Sequence, residues 1–278
     1  MNWQIGCCTL PWSDFDIDRA LEGIKAAGFS SVGIGFSHQG NEVPSIESGS
    51  DGAREIRIKL DALRLRPDML LARWQGDTGA DDFRVRIDQA SLLGVRYLVT
   101  VGASTGEEAR MEQPERSEPQ FLARMSQVVP YAAEKGIVVL LKTHEGNTAS
   151  GPLMRATLNK IGSPWVRACY DPGEVRFHLG LSPEVDLLHV MPYLSGLLLK
   201  DHWGNQGERE FRALGLGNVD FRRLFRTLRR NRFSGPMLVE DFRSGHAQPR
   251  SAEEIDESAS KSYAFLMHIT EQIEAENR

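Results

Sequence analysis

Short β-rich runs alternate with amphipathic helical stretches from one end of this chain to the other. The first run, Gln4–Cys8, is followed by a stretch from Asp16 to Ala27. There Ile17, Ala20, Leu21 and Ile24 recur at helical spacing, and Gly28 ends the pattern. The pairing then repeats: Ser31–Gly35 with a helix over Asp51–Leu63, Met69–Ala72 with Asp81–Leu93, and Tyr97–Val101 with Pro119–Glu134. Ile137–Lys142 is nearly all β-branched or leucine, as a strand covered on both faces requires, and it precedes a helix over Gly151–Ile161. Val166–Asp171 leads to a short helix over Pro183–Val190, and Gly196–Lys200 to one over Asp220–Arg230 capped by Asp220. Met237–Glu240 leads to a last helix over Ser251–Glu274. Successive strand–helix pairs of this kind predict parallel βα units. With right-handed crossovers and eight strands, the economical α/β solution is a closed (β/α)8 TIM barrel.

The 278 residues exceed a common domain length, yet barrels of about 250 residues form one domain. No Pro/Gly/Ser-rich linker divides the chain, so one domain over residues 1–278 is expected. The longest irregular stretches, Ser37–Ser50, Ala103–Pro119, His202–Asn218 and Phe242–Arg250, all follow strands. That is the face on which barrels build their sites.

Charge narrows the partners. A net charge of -5 with no basic tract argues against a grip on nucleic acid or an anionic membrane, and leaves a small-molecule substrate. The N-terminus has no signal-peptide pattern and no apolar run reaches the ~20 residues of a bilayer span, so a cytoplasmic location is expected. Cys7, Cys8 and Cys169 suggest no disulfide framework, which fits a reducing compartment.

The chemistry concentrates at the ends of the later strands: Lys142 and His144, Asp171, Lys200 and His202, and Glu240. A charge pointing into a barrel must find a partner, because an unpaired buried charge is costly. A cluster of ionised groups at the barrel mouth is therefore expected, with Lys142 between Asp171 and Glu240. It is either a functional site or a structural salt-bridge network. Arg209 and Arg212 lie in the loop after strand seven, within reach of a carboxylate or phosphate. Trp12, Trp74, Trp203, Phe36 and Phe242 follow predicted strands and offer apolar walls or core packing. Cys8 has no activating base marked beside it.

The motifs YDPGE, LLLKD, LGLGNVDF and GPMLVED, in this order and on these strand ends, resemble the sugar phosphate isomerase/epimerase family of the xylose isomerase-like barrel superfamily. That superfamily also contains the endonuclease IV enzymes. The resemblance implies a divalent metal held by Glu, Asp, His and Glu from strands five to eight, and it allows a homo-oligomer. Asp171 and Glu240 match two of those ligands. At the other two, the strand-five triplet is Lys142-Thr143-His144 and the strand-seven position is Leu198; Gly33 stands where sugar epimerases often carry a strand-two Glu. Two anionic ligands are a poor cradle for a divalent ion. The expectation is that Lys142 has replaced the metal and no cofactor is needed. The alternative is a shifted Mn, Mg or Zn site using Asp171 and Glu240 with His144 or His202.

The reaction expected from the resemblance is proton transfer next to a carbonyl on a small sugar or keto-acid. Glu240 would act as base, Lys142 and His144 as catalytic partners, and Asp171, Lys200, His202, Arg212, Trp12 and Trp203 would contact substrate. The competing readings are a non-catalytic barrel that binds a sugar-like ligand, and a lyase or hydrolase on the same scaffold.

Overall fold

In a computed structural model of the protein, residues 3–72, 79–103, 117–242 and 250–276 are described. Eight parallel strands close on themselves: β1 (Gln4–Cys8), β2 (Ser31–Ile34), β3 (Arg66–Leu71), β4 (Tyr97–Val101), β5 (Val138–Lys142), β6 (Val166–Tyr170), β7 (Leu194–Leu199) and β8 (Pro236–Val239). Each pairs with its sequence neighbours, and β8 pairs with β1 to complete the ring. The long helices pack outside: α1 (Ile17–Ala26), α2 (Gly49–Leu63), α3 (Ala80–Leu93), α4 (Glu118–Glu134) and α5 (Gly151–Ile161). Then follow α6 (Pro172–Leu179), α7 (Pro183–Asp186), α8 (Phe221–Arg230) and α9 (Ala252–Ala275).

The two-residue period of the strands separates two cores. Outward-facing Val139 and Leu141 join the large layer between barrel and helices. Inward-facing Val138 and Leu140 meet Cys8, Met69, Leu71, Val99, Cys169, Leu198 and Leu238 inside the barrel. Gly33 gives this interior its room, since a Cβ there would lie 2.7 Å from Leu238 and 2.8 Å from Cys8 Sγ. The same inward rows, continued one step past Leu140, Cys169, Leu198 and Leu238, carry Lys142, Asp171, Lys200 and Glu240. The alternation that fills the barrel floor therefore also aims the charged groups at its mouth.

The structure departs from the expectation in three ways. A helix, α6, lies directly after β6, and the expected Pro183–Val190 helix is broken into α7 and a 3-10 turn over Leu187–His189. Two small antiparallel hairpins, Ser37–His38 with Asn41–Glu42 and Asp201–His202 with Phe211–Arg212, stand above the barrel. No described helix is long and apolar enough to cross a membrane.

Candidate active site

The expected ion cluster exists, and it is larger than the sequence suggested. Lys142 Nζ lies 2.6 Å from both carboxylate oxygens of Glu240 and 3.3 Å from Asp171 Oδ2. Lys200 Nζ lies 2.8 Å from Glu240 Oε2 and 3.5 Å from Asp171 Oδ2, and it also binds Glu174 Oε1. Three carboxylates thus surround two ammonium groups, and all five side chains are buried, Asp171 and Glu240 at 0% and 1% exposure.

Each member is set by its element. Asp171 caps α6, its Oδ1 accepting from the Glu174 backbone N–H at 3.1 Å, and its own N–H donates to Thr143 Oγ1 at 2.6 Å. Pro172 follows at the first helical position, where a missing N–H costs nothing. Glu174 stands in the first turn and His178 one turn later, so both face the same way. Gly173 allows α6 to lie on β7, because a Cβ there would meet Lys200 Cβ at 2.6 Å.

The electrostatics divide the acids. Burial would raise Glu240, but Lys142 and Lys200 outweigh it and hold its carboxyl down to about 2. For Asp171 burial wins over the same two lysines, with Glu240 and Glu174 adding repulsion, and its pKa is pushed up to about 7. Glu174 is held well below the usual range: burial opposes its charge, but Lys200, Lys142 and His178 prevail. Burial also works against the charge of Lys142, yet Glu240 and its fellow acids keep it above the ordinary lysine value. With three acids and two ammonium groups, one proton on Asp171 brings the cluster to neutrality. His144 is held neutral near neutral pH, since burial pushes it down to about 4.

The remaining expected contacts fall in different places. His202 is buried, its Nε2 2.7 Å from the Glu208 carbonyl, with its ring beside Phe177 and Phe211. Arg212 donates to Glu210 and stacks over Trp203 at 4.2 Å, and Trp203 itself is 40% exposed. Trp12 requires a correction as a pocket wall. It is fully buried in the layer between barrel and helices, its indole N–H donating to Asp256 Oδ1 at 2.9 Å and its ring meeting Phe242 edge-on. The 3-10 turn Leu10–Trp12 folds the chain back toward α1 and α9, carrying the indole with it. Phe36 packs against the barrel interior and Phe242 joins the outer layer, while Trp74 lies outside the described residues. Cys8 is buried, and its thiol is raised well above its ordinary value by burial and then by Glu240, so it is no nucleophile.

Glu174 and His178 were absent from the sequence expectation. Their signal was present: Asp-Pro-x-Glu before an apolar residue, closed by Gly180, is a helix start and stop.

The inner acids also allow a test of fit for the divalent ion that the resemblance implies. Asp171, Glu174 and Glu240 bring oxygens within 4.8 Å of one another, a spacing that would suit a cation. The two ammonium nitrogens already hold those oxygens, so a divalent ion there would meet two positive charges at contact distance. As the lysines stand, this set does not fit a divalent ion.

No curated protein matches the chain. Solved structures with the same fold include a xylose isomerase domain protein from Planctomyces limnophilus, 17% identical with a TM-score of 0.77, covering 99% of this chain and 100% of that one. D-allulose 3-epimerase from Methylomonas sp. is 21% identical with a TM-score of 0.72, over 96% and 98% of the two chains. A probable 3-DHS dehydratase from Bacillus anthracis is 13% identical at 0.68, over 95% and 99%. Residues 21–264 match the model of the xylose isomerase-like TIM barrel family, and with the closed barrel already described, the chain belongs to that family.

Proposed function

We propose that the protein is an isomerase/epimerase-like enzyme that moves a proton next to a carbonyl on a small sugar or keto-acid, using two ammonium groups in place of an ion between its inner acids. The observation that carries this reading is the position of Lys142 Nζ, 2.6 Å from both Glu240 oxygens and 3.3 Å from Asp171. The D-allulose 3-epimerase and the probable 3-DHS dehydratase among the similar folds lend support to chemistry beside a carbonyl.

The roles follow from the charges. Glu240 is a weak base, because both its oxygens are engaged and its carboxyl is held at about 2. Its role is to anchor the lysines. Asp171, raised to about 7, is the group placed to take the proton. As Asp171 gains a proton it loses its claim on Lys142 and Lys200, whose contacts to it are the long ones at 3.3 and 3.5 Å. Those donors then turn to the oxygen that becomes negative on the substrate. Charge moves from one oxygen to another inside the same cluster, with little reorganisation. At ~4 Å and an effective dielectric near 20, each ammonium contributes about 4 kcal/mol of attraction before desolvation. His144, Lys200 and His202 would orient substrate, with Arg212 and Trp203 at the rim.

The burial of all five charged groups favours a second reading, a barrel that binds a sugar-like ligand without turning it over. One experiment separates the two. The metal-stripped protein is incubated with a panel of keto-sugars and keto-acids in deuterated water, and exchange at the carbon beside the carbonyl is followed by NMR. The proposal expects exchange that Asp171→Asn abolishes. A thermal shift on ligand addition with no exchange supports the binding reading.

A further inference from the structure

We propose that His144, Glu174 and His178 form a site for a transition-metal ion of the zinc class, beside the lysine–carboxylate cluster and separate from the position between Asp171 and Glu240. One ligand atom from each of these three residues lies within 4.8 Å of the others. Glu174 and His178 are one turn apart on α6, and the rings of His144 and His178 are 5.1 Å apart at 55°.

The site is marked by what its atoms lack. Glu174 is 2% exposed, and its Oε1 is taken by Lys200 while its Oε2 has no hydrogen-bond partner. His178 Nε2 lies 2.9 Å from that oxygen as its ion-pair neighbour, and neither atom is engaged by any other hydrogen-bond partner. His144 Nδ1 is a third buried atom in the same state. A buried carboxylate oxygen and buried imidazole nitrogens are normally satisfied. Here a single cation would satisfy the carboxylate oxygen and one nitrogen from each ring at once. Two imidazoles and one carboxylate suit zinc, cobalt or ferrous iron better than magnesium or calcium, which want oxygen. Three protein ligands leave a position open for water or a substrate oxygen. Lys200 on the far oxygen of Glu174 would act as the outer partner that orients a ligating carboxylate.

The inference shares His144, Glu174 and Lys200 with the ammonium reading but not its ion position, and one titration tells their failures apart. Zinc chloride is titrated calorimetrically into the metal-stripped full chain and into His144→Ala, His178→Ala, His178→Gln and Glu240→Gln. Circular dichroism and melting checks confirm that each variant is folded. Cobalt(II) absorption reports the ligand set. One zinc per chain is expected, weakened about a hundredfold or more by each histidine variant, beyond the 10–100-fold that outer partners cost, and little changed by Glu240→Gln. If no ion binds, the site proposal is overturned and the ammonium reading stands. Binding that survives both histidine changes but disappears in Glu240→Gln places the ion among the inner acids, and overturns both.

Discussion

Lys142 is the residue on which the account turns, because its ammonium is the shared partner of Glu240 and Asp171 at a depth where neither acid meets water. Removing one partner of a buried ion pair costs about 3–5 kcal/mol, since the other charge is left uncompensated. Lys142→Met is therefore expected to lower unfolding free energy by about that amount in urea. Lys142→Met combined with Glu240→Leu should recover about half of the loss or more, because a matched apolar pair avoids the stranded charge. Asp171 makes a pH prediction. Its folded pKa of about 7 lies above its ordinary 3.8, so its contribution to stability is complete below 3.8 and is lost as pH rises through about 7. Asp171→Asn, which resembles the protonated acid, should gain stability relative to the parent across that window in pH-dependent melts. The exchange activity should run the other way, rising through an apparent pKa near 7. The inward-facing charges were legible from the sequence because the strand period carries from Val138 to Lys142. The raised pKa of Asp171 was not legible, since it depends on a second ammonium, Lys200, and a third acid, Glu174, that only the packing of α6 on β7 brings together.

Among the elements, Asp201 makes three of the bonds that tie down the loop after β7. Asp201 accepts from the backbone N–H groups of Gly215 and Gly217, each at 2.8 Å, and of Val219 at 3.1 Å. This folds residues 213–219 beneath the hairpin that carries His202 and Arg212. Hydrogen bonds to a charged group contribute about 1.5–3 kcal/mol each when net effects are counted. Asp201→Ala should accordingly raise amide exchange across residues 213–219 while β7 stays protected, measured by hydrogen–deuterium exchange. The long strands and helices could be read from their periods, but the hairpins could not, because two-residue strands show no alternation. The helix α6 was hidden for another reason. Pro172-Gly173 suggests a turn, although the same proline after a capping aspartate is a good helix start. Missing α6 meant missing Glu174 and His178, the residues that enlarge the inner cluster and build the proposed metal site.

At the scale of the whole molecule, the barrel interior decides what chemistry its mouth can hold. The floor is filled by Met69, Leu71, Leu140, Leu198 and Leu238, and Gly33 yields its space to Leu238 and Cys8. A strand-two acid at that position would need room the floor does not have, which accounts physically for its absence. Gly33→Ala should cost about 1–3 kcal/mol through overpacking, read as a lowered midpoint in chemical denaturation. With Leu198 facing inward on β7 and Lys142 closing β5, the mouth is left with two acids on the expected strands, one acid from α6, and two ammonium groups among them. The most direct measurement of that arrangement is a crystal structure from protein soaked in manganese(II), with anomalous scattering used to locate the ion. The account predicts no anomalous peak between Asp171 and Glu240, and Lys142 Nζ within hydrogen-bonding distance of both. A manganese peak there, with the lysine turned away, would contradict it.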